Sequence, residues 1–226
     1  MNESNVWFRS GAEIGLKSIL GCLAVVLALS LPPVFAGTDM KATVPATIVT
    51  EKEWTLELGS GAAWSNVRSG LPNQAYTIVP ISLTASLALD DVSLDNFLGG
   101  WLRGYSEFYF RGDYDVIAHG PEHHYEGLLV GPRYNFFQPG WKLIPYVEGG
   151  VGFDFADANP AGRGLGQDFN FSFGAGVGAK YQFTDNFFGR LGVEYQHVSN
   201  AGLSEPVNPN HPIDALGPKL SFGYAF

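Results

Sequence analysis

The chain has 226 residues and a formal net charge of -9, with 46% hydrophobic, 14% aromatic and 15% charged residues. So low a charged fraction excludes a disordered chain, and the negative balance excludes a nucleic-acid-binding protein, which needs a basic face to neutralise phosphate. One cysteine excludes a disulfide framework and a CxxC-type zinc site, while 29 Gly beside 17 Phe, 10 Tyr and 5 Trp is a pairing that suits a β-barrel, where Gly lets backbones approach and aromatics face an apolar medium.

Arg9 and Lys17 precede the uncharged run Ser18–Leu31, and Val34-Phe35-Ala36 follows two prolines. A basic flank, a short apolar core and a small residue before the cut describe a secretory signal peptide over residues 1–36, cleaved near Ala36. The alternative is a retained N-terminal anchor. Cys22 lies inside the run, so the mature chain would carry no cysteine. Loss of Glu3, Arg9, Glu13 and Lys17 leaves the charge unchanged. Residues 37–52 read as a periplasmic lead-in. No later stretch approaches the roughly 18 consecutive apolar residues of a spanning helix, so any membrane passage beyond it is by strands.

Period-two alternation dominates the remainder. It predicts strands over Glu53–Ser65, Ala75–Ala88, Trp101–Val116, His124–Phe137, Trp141–Ala156, Asp168–Phe183, Phe187–Ser199 and Ile213–Phe226. The sixth is the clearest: Phe169, Phe171, Phe173, Ala175, Val177, Ala179, Tyr181 and Phe183 share one parity, and Asn170, Ser172, Gly174, Gly176, Gly178, Lys180 and Gln182 the other. Eight such strands predict an all-β fold, an eight-stranded antiparallel transmembrane β-barrel of the bacterial outer membrane, over residues 53–226. Barrels of this size are just filled by side chains. Tight turns at Gln138-Pro139-Gly140 and Thr184-Asp185-Asn186 mark the periplasmic end, and longer Gly/Pro/Asn-rich connections the outside. Leu89–Gly100 is long for a periplasmic turn and leaves the register of the second and third strands open. The inward parity is expected to bring Glu57, Glu107, Glu126, Glu148, Asp154 and Glu194 against Arg103, Arg111, Arg133, Lys180, Arg190 and Lys219 as a polar plug.

The last strand alternates Leu220, Phe222, Tyr224 and Phe226 with small residues. It resembles the terminal strand of bacterial outer-membrane proteins, which implies the barrel assembly machinery as a partner during biogenesis.

His119, His123 and His124 fall in one loop with Glu122, where the adjacent His123 and His124 would point to opposite faces on a strand, so solvated surface histidines are the reading and a metal site the alternative; His211 lies in another loop, and no cofactor is expected. His197 differs. The outward parity of the seventh strand (Phe187, Leu191, Val193, Tyr195) continues to His197 and Ser199. A lipid-facing surface has little use for His and Ser except at its rim or for chemistry. Two residues apart on one strand, they are neighbours on one face, the arrangement in which imidazole takes a serine proton. On the eighth strand the outward parity reaches back to Asp214 at a similar height, a candidate to orient the imidazole. Spacing alone leaves a catalytic triad and polar rim residues both open.

The segment Tyr195-Gln196-His197-Val198-Ser199-Asn200-Ala201-Gly202-Leu203, with Glu205-Pro206-Val207-Asn208-Pro209 and Ile213-Asp214 beyond it, resembles the signature of the lipid A 3-O-deacylases, the PagL family. Phe173–Gly178 and Arg190-Leu191-Gly192 carry a weaker likeness. The resemblance implies an outer-membrane barrel that hydrolyses the ester-linked 3-hydroxyacyl chain at position 3 of lipid A, with lipopolysaccharide in the outer leaflet as its substrate. By position it implies Ser199 as nucleophile, His197 as general base, and Asn200 with the Ala201 and Gly202 amides as oxyanion donors. The chain departs from the family pattern in two places. The acid is Asp214 where Glu is frequent, and the turn before it is longer and lacks a Gly. A non-catalytic small barrel with a structural or adhesive role is the alternative function; a solute channel is disfavoured by the filled interior. Homodimerisation is left open.

Overall fold

The computed structural model describes residues 54–65, 75–89 and 100–226. The expected signal peptide and lead-in, and most of the Leu89–Gly100 connection, lie outside the described residues.

Eight antiparallel strands close into a barrel. They are β1 (Trp54–Gly61, resumed after Ala62 by Ala63–Trp64), β2 (Thr77–Ala88), β3 (Gly104–His119), β4 (His124–Phe136), β5 (Leu143–Ala156), β6 (Phe169–Gln182), β7 (Phe187–Ser199) and β8 (Ile213–Ala225). Each pairs with its sequence neighbour, and β8 closes on β1 through register pairs such as Leu58↔Phe222. This is the expected fold class, and the extents of β4 to β8 match expectation within two residues. The third strand is displaced outward by three residues, to Gly104–His119. Gly100–Leu102 form a turn instead, held by a bond from the Arg103 N–H to the Gly100 carbonyl at 3.1 Å. The register left open is Thr84↔Arg111, with one irregularity between Thr77 and Ile78.

The alternation is inside-out relative to a water-soluble protein. Leu58, Val151 and Leu191 are each more than 60% exposed, whereas Glu57, Glu107, Arg133 and Arg190 are each at most 5% exposed. Such a surface is stable only in hydrocarbon, and a closed barrel leaves no strand edge unpaired there. Aromatic side chains cluster near both ends; Phe187 stacks on Phe222 and Phe183 at one, Phe169 packs on Phe153 and Phe155 at the other. The inward glycines of β6 and β7 make room for bulky neighbours. A Cβ at Gly178 or Gly192 would come within 2.7 or 2.6 Å of the Tyr146 hydroxyl.

Two charged layers fill the lumen. In the inner one, the Arg133 guanidinium donates to Glu57 at 2.9 Å, Glu107 at 3.1 Å and Glu148 at 2.6 Å. Arg190 donates to the same Glu57 and Glu107 and to Asn135. Lys180 lies 4.3 Å from the centre of the Phe188 ring. In the outer layer Arg111 grips Glu194 and Asp113, and Lys219 lies 3.4 Å from Glu194. The expected plug is therefore present, with changed membership. Glu126 points outward, because on one uninterrupted strand it cannot share a parity with Arg133 seven positions away. Arg103 precedes β3 and lies over the Phe137 ring. Asp113 and Asp115 are inward members that the extents expected for the third strand already contained.

Above these layers an apolar cluster closes the outer end: Tyr76, Ile78, Ile117, Tyr125, Ala156, Leu165, Val198, Ile213 and Ala215. Val198 and Ile213 are fully buried and are register partners, so the ends of β7 and β8 are pinned from inside. The buried Glu122 carboxylate ties three loops here, accepting from the Tyr76 hydroxyl at 2.7 Å, the Leu165 N–H at 2.6 Å and the Asn159 N–H at 3.4 Å. Burial, and then the hydrogen bond to Glu122 and its charge, hold the Tyr76 phenol well above its ordinary pKa.

Candidate active site

The site grows from the outer ends of β7 and β8, where the chain alternates between the pinned core and the outside. Val198 and Ile213 turn in, so His197, Ser199 and Asp214 turn out. The register places Asp214 directly across from His197. Their side chains meet: His197 Nδ1 lies 2.8 Å from Asp214 Oδ1. The same oxygen accepts the Tyr195 hydroxyl at 2.5 Å. On the other flank, β6 sets Phe173 beside His197 and Phe171 beside Ser199, both exposed.

Ser199 is the last residue of β7. Its Oγ accepts from Asn210 Nδ2 at 2.9 Å and from the Ala201 N–H at 3.3 Å. Among the described residues its hydroxyl makes no hydrogen bond to His197, although strand geometry puts both on one face. Rotation about the Ser199 Cα–Cβ bond is the motion available to bring them together.

The loop after Ser199 assigns different places to the three residues carried by the resemblance. Ala201 and Gly202 both adopt left-handed backbone, with φ of 55° and 80°. Gly bears this freely, while Ala carries a steric cost of about 1 kcal/mol. That turn brings the Ala201 amide onto the Ser199 hydroxyl. The Gly202 amide instead donates to Asn200 Oδ1 at 2.9 Å. Asn200 is fully buried, and its Nδ2 donates to Ser204 Oγ at 2.7 Å. Asn200 thus braces the loop, and its donor faces away from Ser199.

Asn210 supplies a side-chain donor to Ser199 that sequence reasoning did not single out. It lies in the long turn before β8, and its Oδ1 accepts the Gly166 N–H at 3.3 Å from the β5–β6 connection. Beside it, the His211 N–H donates to the Gly164 carbonyl. Glu122, by fixing Leu165, anchors the same connection. Nothing in a lone Asn within a Pro/Asn-rich turn signals a contact eleven residues back. Tyr195 was legible only as one more outward apolar residue; its hydroxyl is what matters here.

The remaining histidines stand elsewhere. His123 Nδ1 lies 2.7 Å from Asp157 Oδ2, and His124 lies 3.6 Å from Asp157 and 3.5 Å from Glu126. Burial raises the Asp157 pKa, but the backbone N–H groups of His124 and His123 and the His123 ring outweigh it, and the carboxyl rests below its ordinary value. His119 is exposed at the end of β3, and His211 is half-buried.

Fold and site together define a class: a small outer-membrane barrel carrying a serine, a histidine and an acid side by side on its outer face, near the rim bearing the long loops. The chain belongs to the lipid A 3-O-deacylase (PagL) family, whose model matches residues 50–224. No curated protein matches it. Among solved structures it is similar to the outer membrane enzyme PagL, at 22% identity, covering 75% of this chain and 97% of that one with a TM-score of 0.48. It is also similar to the N-terminal β-barrel domain of Pseudomonas aeruginosa OprF, at 17% identity, 76% and 97% coverage and a TM-score of 0.45. Neisserial surface protein A matches at 14% identity, 76% and 96% coverage and a TM-score of 0.48.

Proposed function

We propose that this barrel is a serine esterase that removes the 3-O-linked 3-hydroxyacyl chain of lipid A in the outer leaflet. The observation that carries the reading is the His197–Asp214 pair with Ser199 on the same outward face, in a chain of this family. Ser199 Oγ attacks the ester carbonyl as its proton passes to His197 Nε2. Asp214, on Nδ1, holds the ring so that Nε2 faces the serine and stabilises the imidazolium that forms. The tetrahedral oxyanion takes hydrogen bonds from Asn210 Nδ2 and the Ala201 amide, the two donors now on Ser199 Oγ. Collapse breaks the ester C–O bond, and His197 returns the proton to the leaving glucosamine hydroxyl. Water, activated by the same imidazole, then hydrolyses the acyl-serine and releases a 3-hydroxy fatty acid.

The location suits a substrate that never leaves its leaflet. Acyl chains of a lipid at the rim lie against Phe171 and Phe173, while the ester reaches the polar group beside them on β7.

Mass spectrometry of lipid A from a Gram-negative host expressing the chain tests the reading. The expected result is loss of one 3-hydroxyacyl group from position 3, absent with the empty vector. Unchanged lipid A, with the barrel folded in the outer membrane, would favour the non-catalytic alternative.

Asn210→Ala is expected to lower kcat about 10²- to 10³-fold with little change in KM, the usual loss for one oxyanion donor. Steady-state release of 3-hydroxy fatty acid from detergent-dispersed lipopolysaccharide checks it. Asn200→Ala should instead lower the unfolding midpoint, because its side chain braces the loop.

A further inference from the structure

One polar group at the site has no part in the chemistry above. Tyr195 lies two residues before His197 on the outward face of β7, with its ring tilted against Phe173 at 6.5 Å. Its hydroxyl donates to Asp214 Oδ1, the oxygen that His197 Nδ1 also engages. Beneath this row the outward residues of β7 and β8 are apolar: Val193, Leu191, Leu216, Pro218, Leu220 and Phe222. Asp214 is therefore the lowest outward acid on these strands and stands where polar surface ends. A carboxylate at a hydrocarbon margin is costly unless its lone pairs are filled. Its terminal torsion is also broad, so each hydrogen bond to it narrows the range over which the carboxylate turns. A phenol fits this position, with its ring in the apolar layer and its hydroxyl reaching up to the acid.

We infer that Tyr195 is a positioning residue for the proposed hydrolysis: it clamps Asp214 so that one carboxylate oxygen faces the His197 ring. The inference rests on the esterase reading. Tyr195 touches neither substrate nor serine in this scheme and acts only through the acid.

The test is a double-mutant cycle on the full-length barrel in detergent, with purified lipopolysaccharide as substrate and released 3-hydroxy fatty acid as the readout. Tyr195→Phe is expected to lower kcat about tenfold while KM stays within about twofold, the scale of one hydrogen bond to a charged group. In an Asp214→Ala background the same change is expected to cost nothing further, because the acceptor it acts through is gone. A structural role would instead lower activity equally in both backgrounds, and that result would overturn the inference. So would an unchanged kcat in Tyr195→Phe while Asp214→Ala is impaired. Heat-modifiable electrophoretic mobility shows that each variant is folded. A folded wild type that releases no fatty acid overturns the esterase reading, and the inference falls with it.

Discussion

Ser199→Ala and His197→Ala are each expected to reduce fatty-acid release by about 10⁴-fold or more, and the double variant by no more than either alone. Nucleophile and base work as one unit, so once either is gone the other has nothing to act with. The fold should be indifferent. Both side chains face outward at the rim, and neither touches the lumenal charge network. Among the described residues, Ser199→Ala forfeits the bonds with Asn210 and the Ala201 amide. Initial rates with lipopolysaccharide in detergent, beside electrophoretic proof of folding, check this. Losses that multiplied in the double variant would mean that the two residues serve separate steps. Activity surviving in Ser199→Ala would remove Ser199 from the nucleophile's role. The serine would then be a rim hydroxyl held by Asn210.

How much of this was legible depends on whether a residue lies inside a strand or beyond its end. On β6 a single parity separates Phe169 through Tyr181 from Asn170 through Lys180, and the structure keeps that separation throughout. A strand has one geometric variable, and a lipid-facing barrel writes it in the plainest contrast, aromatic against Gly or polar. The same logic reaches His197, Ser199 and Asp214, because β7 and β8 keep their pleat to the last residue. Parity applied with care would also have excluded Glu126, which sits an odd number of residues from Arg133. Beyond Ser199 the pleat is gone. The direction of Asn200 is set by two left-handed residues after it and by Ser204 four positions on, and that of Asn210 by the β5–β6 connection. These are contacts between loops, and no periodicity encodes them. The displaced start of β3 has a similar cause: Trp101 and Leu102 lie in a turn closed by the Arg103 N–H on the Gly100 carbonyl, a local contact that no periodicity encodes.

Arg133→Met is expected to destabilise the barrel by about 3–5 kcal/mol, the range for breaking a buried charge group by removing one partner. Arg133 is 5% exposed and is shared among Glu57, Glu107 and Glu148. Arg190 still reaches Glu57 and Glu107 after the change, but Glu148 loses its 2.6 Å partner. The methionine fills similar space, so the loss comes from weakened charge compensation, with Glu148 left to Arg111 at 4.0 Å, and not from a cavity. Adding Glu148→Gln should recover part of it, since a neutral amide costs less to bury than an unpaired charge. A swap on the lipid face such as Leu191→Met should cost under about 1.5 kcal/mol. Urea unfolding in lipid vesicles, followed by tryptophan fluorescence, gives the midpoints. The site should survive in the folded fraction, because the Val198 and Ile213 core lies between the charged layers and the rim. An unchanged midpoint in Arg133→Met would require water to reach those carboxylates. A lumen open to water is what the solute-channel alternative needs, and conductance in planar bilayers is the measurement that separates a solid platform for rim chemistry from a pore.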